Sequence, residues 1–293
     1  MTELANTGIA NTGVAKVGVV GLGTMGSGIA QLCLEAGVET VAREVGAEQG
    51  EQARARIAGS LDKRVEKGVL DEDGRARALT LLTVTTELGD LAGCDLVIEA
   101  AFEELAVKQS IVRELEPVLG PAAIIATNTS ALSVTEVAAA AASPERVVGM
   151  HFFNPAPLMP LVEVVQAERT SEAAVDVAFR FAERLGKKPV RCLDTPGFIV
   201  NRILIPLLND CIRVLDEAGI TVEDLDTALR YGAGWPMGPA ALVDLIGLDI
   251  HAHAAEALYD KLAEPRMAPP ARLVRMLQAG KLGRKSGEGF YRY

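Results

Sequence analysis

The feature that most restricts what this chain can become is Gly21-Leu22-Gly23-Thr24-Met25-Gly26, set directly behind the β-rich run KVGVV and ahead of apolar residues at helical spacing. A glycine turn opening a helix straight after a strand is the fingerprint of a dinucleotide-binding βαβ unit. Each glycine has a physical task. Gly21 permits the tight turn, Gly23 lets backbone approach a pyrophosphate, and Gly26 lets helix and strand pack closely. The helix amino terminus then faces the phosphate charge.

Further along, VETVARE reads as a second strand ending at Glu44, about 20 residues past the glycines, where a carboxylate accepts hydrogen bonds from ribose hydroxyls. A carboxylate there repels a 2′-phosphate, which favours NAD over NADP. Arg43 beside it pulls the other way, because arginine is what holds that phosphate. The segment from Gly50 to Gly68 carries Ile57, Leu61 and Val65 at i, i+4, i+8 and reads as an amphipathic helix. A second helical stretch follows before LTLLTV, so a helical insertion separates the second and third strands. CDLVIEAA and AAIIATNTS are two more apolar strands. They bracket a helix expected to bury Val107, Ile111, Leu115 and Leu119. RVVGMHFF and PLVEVVQ follow, split by a proline-rich connection, then a helix over 173–185 and a last strand near 189–193. The alternation predicts an α/β fold: a Rossmann-like, doubly wound, parallel sheet.

At Thr195-Pro196-Gly197 strand signals largely stop and helix signals take over, so the domains are expected at 16–195 and 196–293, the second all-α, with 1–15 as a disordered lead-in. That lead-in has no basic n-region and no long apolar core, so no presequence is visible and a cytoplasmic location is expected. The most apolar stretch, 198–215, is broken by Asn201, Arg202, Asn209, Asp210 and Arg213, which excludes a membrane span. A formal net charge of -10 argues against nucleic-acid binding. Cys33, Cys94, Cys192 and Cys211 are widely spaced and read as reduced core thiols; no metal site is expected.

Three histidines are present. His251 and His253 share a helical stretch at a spacing that sends them to different faces. His151 instead ends a strand before an Asn-Pro turn, at the sheet edge where open α/β folds hold ligands. Alone, it could equally be a hydrogen-bonded core histidine. Glu163 lies in the apolar run 161–165, and a buried carboxylate needs a partner. His151 on the neighbouring strand is the natural one, the acid fixing the tautomer of an imidazole that accepts and returns a proton.

Taken in order, GLGTMGSGIA, IEAAFEELAVK, ATNTSAL, GMHFFNPAPLMPLVEVV, DTPGFIVNR, the WPMGP region and LGRKSGEGFY resemble the 3-hydroxyacyl-CoA dehydrogenase family over nearly all of 16–293. The resemblance implies an NAD-dependent oxidoreductase acting on a 3-hydroxyacyl-CoA, of the 3-hydroxybutyryl-CoA type. His151 would be its general base and Glu163 the orienting acid. Ser130 and Asn201 would hold the substrate oxygen, and Glu103, Lys108 and Asn128 would lie around the nicotinamide ribose. Ser60 and Lys67 on the inserted helix would contact CoA, and Lys67 also suits its phosphates. Each has a plainer reading: Ser130 as a helix cap, Asn201 as a backbone partner near Pro196-Gly197, Lys67 on a solvated face. This chain departs from the family in having Glu44 where aspartate is usual and Ala131 after Ser130. Two other readings stand beside this one: a relative oxidising a free 3-hydroxyacid or gulonate without CoA, and a noncatalytic dinucleotide-binding protein. The apolar run Phe198, Ile199, Ile203, Leu204, Leu207, Leu208, Ile212 and Leu215 predicts a homodimer through the second domain.

Overall fold

In the computed structural model, residues 13–293 are described; the lead-in expected over 1–15 falls almost wholly outside them. The chain divides between Thr195 and Pro196 into two compact units.

In the first unit the strands are β1 (Lys16–Val20), β2 (Glu39–Arg43), β3 (Leu82–Thr85), β4 (Leu96–Glu99), β5 (Ile124–Thr127), β6 (Val147–Phe152), β7 (Leu161–Gln166) and β8 (Lys188–Leu193). They form one sheet in the order β3-β2-β1-β4-β5-β6-β7-β8. From β3 to β6 every pairing is parallel. Chain order reverses between β1 and β4, which opens the crevice where such sheets hold ligands.

The expectation of a parallel sheet needs one correction. β7 runs antiparallel to β6, and β8 follows β7. A parallel partner needs a crossover of about a dozen residues or more, and the proline-rich connection 153–160 is too short for one. Its fold-back sets His151 directly opposite Glu163.

Helices cover both faces: α1 (Thr24–Glu35), α2 (Ala47–Glu66), α3 (Glu72–Thr80), α4 (Leu105–Leu115), α5 (Val134–Ala138) and α6 (Glu172–Arg184). With both faces covered, β4, β5 and β6 are buried end to end, as their largely apolar runs require. The inserted helix α2 buries Gly50, Ala53, Ile57 and Leu61. Here the helix starts earlier than its periodicity indicated, and Val65 is only half-buried. On α4 the inward face is also displaced: Lys108, Val112 and Leu115 are buried, whereas Val107 and Ile111 are partly exposed. A purely apolar template misses such a face because a lysine occupies its centre.

The second unit is helical: α7 (Val200–Glu217), α8 (Val222–Gly232), α9 (Pro239–Ile246), α10 (Leu248–Leu262) and α11 (Ala271–Gln278). Thr221 caps α8 by accepting from the Asp224 N–H, as the Thr-x-x-Asp spacing suggests. Much of the apolar run expected at a dimer contact is used inside this unit. Leu208, Ile212 and Leu215 pack into this unit's core, while Ile203 stays 62% exposed. The chain ends against two acids. Asp244 accepts from the N–H groups of Phe290 and Tyr291 and from the Tyr293 hydroxyl, and Asp226 accepts from the Tyr291 hydroxyl. No described helix is long and apolar enough to cross a membrane.

Candidate active site

Parallel strands bring their last residues to one edge, so Val20, Arg43, Glu99 and Thr127 stand in register there, with His151 just beyond. At this edge the loop from Gly21 to Gly26 joins β1 to α1. Gly21 has φ +85°, and a Cβ on it would lie 2.8 Å from the Ala101 backbone. A Cβ on Gly26 would fall 1.8 Å from the Gly21 carbonyl oxygen, so a side chain there cannot coexist with the turn. A Cβ on Gly23, by contrast, meets nothing within 4 Å. The loop is thus packed shut on its protein side and open on the other. Thr24 and Met25 begin α1, and no side chain caps that helix, so its amino-terminal N–H groups suit an anion. These features fit the pyrophosphate of a dinucleotide.

Glu44 stands just past β2 and holds this loop. Its Oε2 accepts from the Leu22 N–H at 2.8 Å, and its Oε1 accepts from the Val45 N–H at 2.8 Å. Arg56 on α2 donates to the Leu22 carbonyl at 3.0 Å and to the Ser27 hydroxyl at 3.3 Å. The Leu22 peptide is therefore fixed from both ends.

The ends of β4 and β5 are tied by a network that sequence reading found only in part. Lys108 is fully buried and its Nζ lies 2.8 Å from Glu99 Oε1 and 3.3 Å from Glu103 Oε2. Glu99, also fully buried, accepts from the Thr127 hydroxyl and the Ala101 N–H. Glu103 Oε1 accepts from the Thr129 hydroxyl and from the N–H groups of Ser130 and Ala131. Burial alone would raise the Glu103 carboxyl. The Lys108 ammonium and those donors outweigh it and hold the group below its ordinary value. Sequence reading named Glu103 and Lys108 but not Glu99, Thr127 or Thr129. The overlooked signal was an acid closing the apolar strand LVIE, the same kind of signal that singled out Glu163.

The exposed Ser130 follows this clamp. It does not cap a helix: α5 starts at Val134, with Ser133 as its cap. Asp194 reinforces that start by accepting from the Ser133 hydroxyl and the Thr135 N–H. Asn128 Oδ1 accepts from the Phe152 N–H at 2.9 Å and so joins the ends of β5 and β6.

His151 and Glu163 face each other across the antiparallel pair, both buried, with Nδ1 2.7 Å from Oε2. An ionised carboxylate only accepts, so the proton of this bond belongs to Nδ1, and in the neutral ring Nε2 carries the lone pair. The Phe153 ring packs 4.4 Å from the imidazole centroid. Cys192 on β8 has its thiol pushed up to about 12, first by burial and then by the Glu163 charge, which keeps it from acting as a thiolate.

The remaining candidates lie on other elements. Ser60 is half-buried on α2, and Lys67 is exposed just beyond its end; neither side chain has a hydrogen bond or ion pair among the described residues. Asn201 is the second residue of α7, in the second unit. His251, also there, is buried with Nε2 2.9 Å from Asn209 Oδ1, and burial lowers its pKa to about 4. Among the described residues no group of three or more His, Cys, Asp or Glu side chains could hold a metal ion.

Residues 16–195 match the NAD-binding domain of 3-hydroxyacyl-CoA dehydrogenases, and residues 197–293 match the C-terminal domain of the same family. A 3-hydroxybutyryl-CoA dehydrogenase of Mycobacterium tuberculosis is 47% identical over 269 residues, covering 91% of this chain and 94% of that protein. One from Bradyrhizobium diazoefficiens is 44% identical, with 91% of each chain covered. The crystal structure of (S)-3-hydroxybutyryl-CoA dehydrogenase PaaH1 from Ralstonia eutropha superimposes with a TM-score of 0.92 at 40% identity, over 96% of this chain and 99% of that one. With both domain models matched in order and relatives this similar over nearly their whole length, the chain belongs to the 3-hydroxyacyl-CoA dehydrogenase family.

Proposed function

We propose that the chain interconverts a short-chain (S)-3-hydroxyacyl-CoA, of the 3-hydroxybutyryl-CoA type, and its 3-oxoacyl-CoA, with His151 as general base and acid. The observation that carries this reading is the buried 2.7 Å contact between His151 Nδ1 and Glu163 Oε2 at the carboxyl edge of a dinucleotide-binding sheet. In the oxidation, Nε2 takes the hydroxyl proton, and the resulting imidazolium is stabilised by Glu163. In the reduction, the same nitrogen returns the proton to the forming alkoxide. Burial of both side chains makes that charge stabilisation stronger than it would be in water.

NAD bound at the glycine loop would supply the hydride acceptor for the alcohol carbon. Gly21, Gly23, Thr24, Met25 and Gly26 would hold its pyrophosphate, and Glu44 the adenosine ribose. Ser130 and Asn201 would hydrogen-bond the substrate oxygen and polarise the carbonyl. Glu103 and Asn128 would form the wall near the nicotinamide ribose. Lys108 has no accessible surface, so it acts through Glu99 and Glu103 instead of by direct contact. Ser60 and Lys67 would face CoA, whose phosphates suit the exposed Lys67 ammonium. A homodimer is also proposed, because Ile203 and Ile250, 62% and 55% exposed, leave apolar surface on the second unit.

Following NADH absorbance separately with acetoacetyl-CoA and with acetoacetate tests the substrate reading. Turnover of the thioester is expected. Turnover of the free acid alone would favour the hydroxyacid relatives, and turnover of neither would favour a binding protein. A monomeric mass in light scattering at micromolar concentration would exclude the dimer.

A further inference from the structure

We propose that Lys187 is a positioning residue for His151 and Glu163, a role that rests on reading that pair as catalytic. Its ammonium holds the connection between β6 and β7 by two backbone carbonyls, and so fixes how the carboxylate meets the imidazole.

Local sequence makes this lysine a fixed mount. Gly186 has φ +72°, and the N–H groups of Gly186 and Lys187 donate to the carbonyls of Glu183 and Ala182. That pair of bonds is how a glycine just past a helix closes it, here α6. Lys187 is thereby set between α6 and β8, and the residue is only 8% exposed. Its Nζ donates to the Ala156 carbonyl at 2.6 Å and to the Met159 carbonyl at 2.9 Å. Burial, the largest influence, holds the ammonium below its ordinary pKa, with Glu35 opposing that shift and Arg64 adding to it. Burying the charge is costly, and the two carbonyls offset it. A methionine would fill similar space without that cost, so packing alone does not account for a cation here.

Those carbonyls belong to the return that sets Glu163 opposite His151. Elsewhere the return is tied by its own backbone. The Pro155 carbonyl accepts from the N–H groups of Leu158 and Met159, and Lys188 donates its N–H to the Pro160 carbonyl at 2.7 Å. The return also rests on α1, where a Cβ on Gly28 would lie 3.0 Å from Pro157 Cδ and 3.3 Å from Ala156 Cβ. The carbonyls of Ala156 and Met159 have no other donor among the described residues, so the middle of the return depends on one side chain. A slip of one residue would turn Glu163 to the opposite face of the sheet. Movement well short of that would lengthen the 2.7 Å contact between Nδ1 and Oε2.

Steady-state kinetics of the whole protein with acetoacetyl-CoA and NADH test this. Lys187→Met should lower kcat by about ten- to a hundredfold with KM for both substrates nearly unchanged, the order of loss that misplacing a reacting group by about 1 Å brings. In a Glu163→Gln background the same substitution should lower kcat no further, because the contact that Lys187 positions is already gone. Lys187→Gln, run in both backgrounds, carries the comparison if the methionine variant does not fold. An undiminished kcat in the single Lys187 variant, or the same fractional loss in both backgrounds, overturns the inference. Full turnover in Glu163→Gln overturns instead the catalytic reading beneath it.

Discussion

Lys108 Nζ sits 2.8 Å from Glu99 Oε1, and neither side chain has any accessible surface. Two acids surround one ammonium, because Glu103 approaches from the other side at 3.3 Å. Removing charges from water is costly, and it is offset here only because each carboxylate is also met by hydroxyl or N–H donors. The network fixes the turn after β5 that carries Ser130, which links a buried ion pair to the proposed substrate contact.

Lys108→Met should therefore destabilise the fold by about 3–5 kcal/mol, since it leaves the fully buried Glu99 carboxylate without its cation and removes the counter-charge of the more exposed Glu103. Adding Glu99→Gln should recover part of that loss. Urea denaturation of the two single variants and the double variant checks the coupling; strictly additive losses would show that the pair is not energetically linked.

Glu163→Gln should lower kcat by at least about 100-fold with KM for the acyl-CoA nearly unchanged, because an amide no longer enforces the Nδ1–H tautomer or stabilises the imidazolium. His151→Gln should abolish turnover and leave NADH binding intact, since the glycine loop is untouched. Steady-state kinetics together with NADH fluorescence titration separate these outcomes.

A methyl group at position 26 would stand 1.8 Å from the Gly21 carbonyl oxygen, a contact that cannot be relieved by rotating a side chain. Gly26→Ala should cost about 1–3 kcal/mol, the usual cost of overpacking, and should weaken NADH binding as the turn deforms. Gly23→Ala meets no protein atom. Its effect should appear in cofactor affinity with the melting temperature preserved.

His251 supplies a pH prediction. Burial lowers its pKa to about 4, below the value near 6.5 of an unfolded chain, so the neutral ring is the folded form. Its contribution is complete above pH about 6.5 and is lost as the pH falls towards the folded value, because the unfolded state binds the proton first. Between pH 6.5 and pH 5 the loss should approach about 2 kcal/mol. His251→Gln should flatten that part of the stability profile, measured by chemical denaturation; an unchanged slope would assign the acid sensitivity elsewhere.

The strand-glycine-helix unit, the acid after β2, the succession of strands and helices along the first unit and the helical character of the second were all legible in the chain. Each is written in local patterns: an alternation or run of apolar residues, a glycine where a Cβ cannot fit, a carboxylate at a fixed distance from the turn. His151 and Glu163 were legible for a related reason, as polar residues closing or interrupting otherwise apolar strands. Glu99 carries the same mark, yet its importance depends on Lys108, whose burial contradicts the usual fate of a helical lysine.

Tertiary structure alone decided the rest. Whether β7 runs with or against β6 is not a property of either strand; it follows from a connection too short to cross over, and it is this reversal that sets the carboxylate opposite the imidazole. The inward face of α4 likewise turned on two acids, one from a neighbouring strand and one from the turn before the helix, meeting the ammonium of Lys108. The amino-acid sequence by itself determined which segments become strands and helices and where the nucleotide turn lies, because those depend on neighbours in the chain. It could not determine which charges meet, because Coulomb attraction and desolvation depend on distances in space that only the folded sheet creates.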